Sequence, residues 1–443
     1  MNRTTVAPAL EAGAATSDDA LWQGAAAVLD ANWERDHTVP SRTLYPHHWN
    51  WDAGFIAVGL AHHDPARAWA DLRSLFSAQW IDGRVPHIVF DPDVSERDYF
   101  PGPAFWDSAA MPGRLAGLTT GIVQPPVHAL AVVQMWRRAP DEVELRWLYE
   151  RLAHQQRYLL ERRNVGGVGL ASIVHPWESG LDNSPSWDAV LGAIPVDLDM
   201  MRKYRRQDNR VANSDHRPTD ADYARYIAIA ANYRDGGYLD AGLIDRHPFL
   251  VECPGFNAIL GAAEHSLADL AEVVGADPAP HRERAARVTR TLVDELFDPA
   301  TGMFHSRDVR TGGLSPARCV NGLVPLILPD LPTEVVDSLV AAASSERFGI
   351  GPLPVPSYDR TAGDFDRLRY WRGPIWINVN WLLWQGLRAH GREREAAVLR
   401  DAMLTLVRRG GYHEYFDPVT GDGIGSAAFS WTAALTMDLL TGS

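Results

Sequence analysis

The sequence predicts an all-α fold in which paired helices close into a toroid, and three observations lead to it. Apolar residues recur with the helical period over about a dozen segments, while few segments favour strands. Short connections between consecutive helices pair them antiparallel, as about six hairpins. Long irregular loops recur on alternate connections, so these loops gather at one end of the toroid. A cleft is expected at that end.

The individual helices are predicted from their end signals and from the apolar period. The first, over 18–35, is amphipathic and begins with two acids. The helix over 64–80 has an aspartate cap followed by a proline in its first turn. The same period predicts ten more, and a shorter helix near 103–119: 51–63, 126–138, 141–163, 220–234, 258–274, 280–296, 333–344, 375–390, 392–409 and 427–440.

Two small hairpins are predicted at 297–304 and 416–423, where the sequence DPxTG follows a helix and suits a tight turn. No true repeat, low-complexity tract or linker divides the chain, so a single domain over 17–443 is expected. Residues 1–16 hold no continuous apolar run. This predicts a disordered N-terminus rather than a signal peptide.

Composition limits the classes of partner. A formal net charge of −14 argues against nucleic acid and anionic membrane, and no run reaches the length of a membrane span. Two cysteines form no disulfide framework, so a reducing cytoplasm is expected. No histidine pair has metal-ligand spacing, so no metal site is predicted. Sixteen tryptophans suit the binding of sugar rings, although core packing is the better explanation for any single one. Homo-oligomerisation is left open.

The most informative loop is 175–187, HPWESGLDNSPSW. Its prolines and turn-forming residues predict neither helix nor strand. It brings together Glu178 and Asp182, with Asp188 one residue beyond. Such a loop is costly to order unless something binds there. Acids that cap helix N-termini are the alternative explanation, and composition leaves both open.

Other segments share this mixture of aromatic rings and polar groups: 45–55 with Asp52, 99–108 followed by Gln124, 370–383, and 410–418 with Glu414. Two carboxylates in such surroundings can be driven to different pKa values, so that one acts as an acid and the other as a base. Glycoside hydrolysis needs such a pair. Spacing cannot select it, because Asp182 and Glu414 meet only through the fold.

These motifs carry a resemblance to a known family. HPWESGLDNSPSW, WDAGF, YWRGPIWINVNWLL and the closing GYHEYFDP with FSWTAAL are similar to the signature segments of glycoside hydrolase family 63. The chain most resembles the short bacterial glucosylglycerate and mannosylglycerate hydrolases of that family. The match spans roughly residues 22–440, and its motifs follow the family's order.

The resemblance implies an (α/α)6 toroid that hydrolyses an α-glycosidic bond with inversion and requires no metal or organic cofactor. On the matching positions Asp182 would be the general acid, Glu414 the general base, and Asp52 a partner of sugar hydroxyls. Arg217 with Tyr223 would hold a glycerate carboxylate, although an Arg217 ion pair at a helix start is an alternative. The substrate-binding set comprises Trp49, Trp51, Asp52, Tyr99, Gln124, Trp177, Glu178, Arg217, Tyr223, Trp371, Arg372, Trp376 and Trp381.

Three other functions stay open at this point. An inverting α-glucosidase acting on a neutral disaccharide or oligosaccharide, similar to trehalase, would keep the mechanism and change the substrate. A sugar epimerase would use paired histidines on the same toroid, with His87, His175, His305 and His413 as candidates. A sugar-binding protein without activity would have no need of an acid facing a base.

Overall fold

The computed structural model describes residues 17–96, 99–111, 118–196 and 214–442, so the expectation for 1–16 lies outside it. Twelve helices of eleven residues or more lie in these ranges, as the periodicity predicts. They are α1 Asp18–Asn32, α2 Asn50–His63, α3 Pro65–Ser77, α4 His128–Arg138, α5 Glu142–Arg157, α6 Asp220–Asp235, α7 Pro254–Val274, α8 Ala279–Leu296, α9 Thr333–Ser344, α10 Ile377–Ala389, α11 Glu393–Gly410 and α12 Ser430–Thr441.

Six elements close into an inner ring, which confirms the predicted toroid. Around the ring, α2 contacts α4, α4 contacts α7, and α7 contacts two consecutive 3-10 turns, Val320–Gly322 and Val324–Ile327. The second of these turns contacts α10, α10 contacts α12, and α12 returns to α2. Helices α1, α3, α5, α8 and α11 pack against inner helices, and α9 buries Leu339 in the same core.

Two details differ from six simple helical hairpins. The fourth inner element consists of 3-10 turns, because Pro325 interrupts the segment and removes a helical hydrogen bond. Helix α6 takes no position in the ring and belongs to the long connection between α5 and α7. Ring membership depends on tertiary contacts that helical periodicity does not encode.

The inner helices α2, α10 and α12 begin beside aromatic residues. The N-cap residues are Trp49, Trp376 and Phe429, all with extended backbone and none with a side-chain cap hydrogen bond. Helix α2 is apolar on every face and almost wholly buried, as expected for an element enclosed by others. The polar first-turn residue Asp52 is therefore directed into the protein.

Twelve short strands supplement the helices within the described ranges: β1 Trp33–Glu34, β2 His37–Thr38, β3 His48–Trp49, β4 Ile88–Phe90, β5 Leu118–Thr119, β6 Ser172–Ile173, β7 Val251–Glu252, β8 Phe297–Asp298, β9 Met303–Phe304, β10 Arg307–Asp308, β11 Tyr415–Phe416 and β12 Gly423–Ile424. Strands β8 and β9 pair, as do β11 and β12, which confirms both predicted hairpins. The antiparallel sheet β3-β4-β5 leads directly into α2. No helix in the described ranges is long and apolar enough to cross a membrane.

Candidate active site

One cavity collects side chains from the loops that the sequence singles out, beside the starts of α2 and α12. Tyr370 and Trp431 are among its lining residues. Ten of the predicted site residues also line it: Trp49, Trp51, Asp52, Tyr99, Gln124, Trp177, Asp182, Arg217, Tyr223 and Glu414. The fold thus brings Asp182 and Glu414, which are distant in sequence, to the same cavity.

Glu414 is held by four hydrogen-bond donors. Its Oε1 accepts from the hydroxyls of Tyr45, at 2.7 Å, and Tyr370, at 3.0 Å. Its Oε2 accepts from Nη2 of Arg217, at 3.0 Å, and from the backbone N–H of Ser426, at 3.1 Å. The side chain is almost fully buried. All four partners donate, which is the arrangement that an ionised carboxylate accepts.

The backbone around Glu414 depends on a glycine. Gly425 has φ +75°, and a Cβ there would lie 2.6 Å from Oε2 of Glu414 and 2.6 Å from the ring of Tyr415. The neighbouring Ser426 supplies both its N–H to the carboxylate and its carbonyl to the Glu414 N–H. The backbone at the open end of the hairpin β11–β12 therefore holds this carboxylate in place.

Asp52 is a second buried carboxyl group in the cavity. Burial raises the pKa of Asp52 well above its usual range, although a backbone hydrogen bond acts against this, and the charges of Glu414 and Asp182 raise it further. A protonated carboxyl can donate a hydrogen bond, whereas the Glu414 carboxylate only accepts hydrogen bonds from its four partners. Burial thus favours the protonated form of the Asp52 carboxyl in this cavity.

The loop of Asp182 is fixed by hydrogen bonds on both sides of that residue. The Asp182 carbonyl accepts from Nε1 of Trp187 and from the hydroxyl of Tyr226, each at 3.0 Å. His175, at the start of the loop, accepts from the Trp177 N–H through Nδ1 and donates from Nε2 to the Tyr226 carbonyl, at 3.0 and 2.9 Å. Burial lowers the pKa of His175 to about 3, which keeps the ring neutral.

A close contact between two loops explains the glycine in this motif. Gly180 has φ +73°, and a Cβ there would lie 2.5 Å from the ring of Trp51. Nearby, Gln124 accepts a hydrogen bond from the Trp51 N–H at 3.1 Å. The Asp182 loop therefore packs directly on the first turn of α2, which carries Asp52.

Arg217 and Tyr223 both reach the cavity, but their hydrogen-bond partners belong to the protein. Arg217 donates to Glu414 and, at 3.0 Å, to the hydroxyl of Tyr45, and its guanidinium lies 4.3 Å from the centre of the Tyr370 ring. Tyr223 donates to the Phe100 carbonyl at 3.2 Å. Arg217 therefore pairs with the predicted base, a contact that the sequence did not indicate.

Glu178 does not line the cavity, contrary to its predicted place in the substrate-binding set. It is fully buried, and its carboxylate accepts from both terminal nitrogens of Arg163, at 2.6 and 2.8 Å. It also accepts from the N–H groups of Val123 and Val174, at 3.1 and 2.8 Å. A charge this deep needs such partners, so Glu178 joins three chain segments.

Three predicted tryptophans also lie outside the cavity lining: Trp371, Trp376 and Trp381. Trp371 and Trp376 stack on each other with ring centres 3.7 Å apart. Trp381 donates to the buried carboxylate of Asp438 at 2.8 Å. These contacts place the rings in the core, which is the ordinary location for tryptophan.

Arg372 is the fifth predicted site residue outside the cavity. Its guanidinium donates to both oxygens of Asp188, at 2.9 and 2.6 Å, and to the carbonyl of Asn183, at 3.3 Å. It lies in a separate shallow cleft behind the Asp182 loop. Asp188 is the first residue of a short helix, Asp188–Gly192, whose N-cap is Trp187 and which has no side-chain cap hydrogen bond. The capping explanation is therefore wrong for this acid, whose carboxylate pairs with Arg372 instead.

The cavity contains lining residues that the sequence reasoning missed. Tyr45 and Tyr370 donate to Glu414, and Tyr226 and Trp431 complete the aromatic lining. Tyr45 and Tyr370 are the first residues of the segments 45–55 and 370–383. The sequence therefore contained a signal for both tyrosines, because they belong to segments selected for their aromatic and polar residues. Their hydroxyl groups were not predicted to contact Glu414.

The histidines considered for epimerase chemistry do not assemble in the cavity. Of the four candidates, only His87 lines it. His175 is committed to the backbone, and His305 contacts Thr301 at 2.8 Å. No group of three or more histidine, cysteine, aspartate or glutamate side chains in the described ranges could hold a metal ion.

Carboxyl groups gathered in an aromatic-lined cavity suit the hydrolysis of a glycosidic bond. Residues 45–432 match the family model of the mannosylglycerate hydrolase MGH1-like glycoside hydrolase domain, and the chain belongs to this family. It is therefore a glycoside hydrolase, and the resemblance to family 63 is confirmed.

Relatives of known activity match nearly the whole chain. A mannosylglycerate hydrolase of Rubrobacter radiotolerans is 40% identical, covering 93% of this chain and 95% of its own. A glucosylglycerate hydrolase of Mycolicibacterium hassiacum is 35% identical, with coverage of 94% and 96%. The crystal structure of the family-63 mannosylglycerate hydrolase from Thermus thermophilus with Tris and D-glycerate has TM-score 0.87 and 38% identity, covering 96% of this chain and 100% of that one. Neutral trehalase Nth1 from Saccharomyces cerevisiae, 15% identical with TM-score 0.54, covers 92% of this chain and 73% of its own and shares the fold alone.

Proposed function

We propose that the protein hydrolyses a small α-mannosyl or α-glucosyl glycerate with inversion, releasing the β-sugar and glycerate. The observation that carries this proposal is the meeting of Asp182 and Glu414 in one aromatic-lined cavity. The relatives that match nearly the full chain are mannosylglycerate and glucosylglycerate hydrolases, which supports the substrate class.

In the proposed reaction Asp182 donates a proton to the glycosidic oxygen as the bond to the anomeric carbon breaks. A water molecule attacks that carbon from the opposite face and transfers a proton to Glu414. The neutral carboxyl of Asp52 donates to a sugar hydroxyl, and the rings of Trp49, Trp51 and Trp177 contact the apolar face of the sugar.

The crowded surroundings of Glu414 impose a condition on this step. A carboxylate has about four lone-pair positions, and the four donors already present occupy them. The attacking water must therefore replace one donor. Tyr45 and Tyr370 are the two neutral side-chain donors, whereas Arg217 is charged and Ser426 donates from the backbone. We therefore propose that the water displaces the hydroxyl of one of these tyrosines.

The test is hydrolysis of mannosylglycerate, glucosylglycerate and trehalose by the wild type, Asp182→Asn and Glu414→Gln, followed by NMR of the released sugar. We expect β-sugar from a glycerate glycoside, with kcat lowered by at least about 10²-fold in each variant. First-formed α-sugar would refute inversion. Undiminished activity in either variant would refute its assigned role.

A second candidate is inverting hydrolysis of a neutral α-glucoside. One observation favours it: the guanidinium of Arg217 donates to Glu414 and to the hydroxyl of Tyr45. Arg217 is therefore engaged within the protein rather than held open as a binding group for a glycerate carboxylate. Turnover of trehalose, with neither glycerate glycoside cleaved, would select this candidate. We further propose a cytoplasmic location, consistent with the two buried free cysteines.

A further inference from the structure

We propose that Arg372 is a positioning residue for the general acid. It acts from outside the cavity through the backbone of the Asp182 loop. The inference rests on the proposed function in taking Asp182 as the acid, and it replaces the predicted substrate contact of Arg372 with a different role.

Arg372 contacts the acid's loop at two points, both C-terminal to Asp182. Its Nη1 donates to the carbonyl of Asn183, the residue directly after Asp182, and both terminal nitrogens bind the Asp188 carboxylate. Asn183 in turn donates from Nδ2 to the Tyr370 carbonyl at 3.2 Å. The acid's loop is thereby joined to the same short segment that presents Tyr370 to the base.

Arg372 is itself held in place. Its N–H donates to the Arg369 carbonyl at 2.8 Å, and its own carbonyl accepts from the Asp366 N–H at 3.1 Å. The preceding Trp371 has φ +59°, a left-handed conformation that is costly for a bulky residue, and its stacking on Trp376 maintains it. This constrained backbone directs residue 370 into the cavity and residue 372 behind the acid's loop.

Arginine suits this position because its planar guanidinium can bind a carboxylate through two nitrogens while also reaching a carbonyl. Lysine would place a single charged group and could not keep all of these bonds. Displacing the acid by about 1 Å is expected to reduce protonation of the leaving group strongly, because proton transfer needs hydrogen-bond distance.

Leaving-group dependence tests the proposal. A glycerate leaving group needs a proton from the acid, whereas fluoride leaves from an α-glycosyl fluoride with little assistance. In Arg372→Gln we expect kcat for the glycerate glycoside to fall about 10²-fold, and kcat for the matching fluoride less than about 3-fold. KM should change less than kcat, and Arg372→Lys should recover only part of the loss.

The matched control is Arg369→Gln. Arg369 lines the same shallow cleft but pairs with Asp222 at 3.2 Å, on α6 rather than on the acid's loop. It should retain wild-type rates on both substrates. Asp188→Asn, which leaves the Asn183 bond intact, should give a smaller selective loss than Arg372→Gln. Thermal unfolding of each variant reports folding separately.

Equal losses on both substrates, or no loss on the glycerate glycoside, would overturn the proposal. A wild type that hydrolyses the fluoride but neither glycerate glycoside would instead contradict the proposed substrate. In that case the α-glycosyl fluoride would be compared with a phenyl α-glycoside, whose phenol is a poorer leaving group than fluoride. Arg372→Gln must then show the same selective loss on the phenyl glycoside.

Discussion

Replacing Glu178 with glutamine gives the sharpest test of how the loops are held together. The carboxylate and Arg163 are both buried, with 0% and 1% of their side chains exposed. Each oxygen accepts one guanidinium N–H and one backbone N–H. In Glu178→Gln the new amide NH2 faces two of these donors, and Arg163 loses its main counter-charge.

The expected cost follows from these contacts. Two buried donors left without acceptors cost about 1–3 kcal/mol each, and breaking a buried ion pair from one side costs about 3–5 kcal/mol in total. We therefore expect Glu178→Gln to lower the free energy of unfolding by about 3–5 kcal/mol, measured by urea unfolding with tryptophan fluorescence. Glu144→Gln is the matched control, because its 2.6 Å pair with Arg73 is partly exposed and should contribute less than about 1 kcal/mol.

A loss below about 1 kcal/mol in Glu178→Gln would refute this reasoning. It would mean that Asp240, whose carboxylate lies 3.0 Å from Nε of Arg163, can neutralise the guanidinium alone. An increase in KM with unchanged stability would instead restore the substrate contact that the sequence suggested for Glu178.

Three further predictions concern the cavity and the loop that carries Asp182. Burial raises the pKa of Asp52, so the folded state binds a proton that the unfolded chain releases. The free energy of unfolding therefore falls as the pH rises above about 4. Asp52→Asn should raise the melting temperature at pH 7 and leave it unchanged near pH 3. The pKa of His175 in the folded protein, about 3, lies below its value in the unfolded chain. The contribution of the neutral ring to stability is therefore complete above about pH 6.5 and is lost as the pH falls. His175→Gln should reduce the slope of the unfolding free energy against pH, between pH 6.5 and 4, by about 1.4 kcal/mol per pH unit. Gly180→Ala forces a Cβ onto Trp51 and should lower kcat/KM at least about 10-fold, whereas Gly312→Ala, with a similar φ and open space, should leave it unchanged.

The helices, both DPxTG hairpins and the toroidal class were predictable from the sequence, because these depend on local periodicity and turn chemistry. It also identified the loops that enclose the cavity, since aromatic rings, acids and turn formers are concentrated there. Asp182 and Glu414 were selected through the family resemblance. Their roles stay predictions, although the fold brings both residues to one cavity.

Which side chains of those loops face the cavity could be learned only from the folded chain. In the run from Tyr370 to Arg372, the first residue lines it while the next two lie in the core and behind the acid's loop. That direction depends on backbone angles such as the positive φ of Trp371, which no periodic pattern reports. The pairing of Arg217 with Glu414 joins residues 197 positions apart, so it is likewise a property of the folded chain.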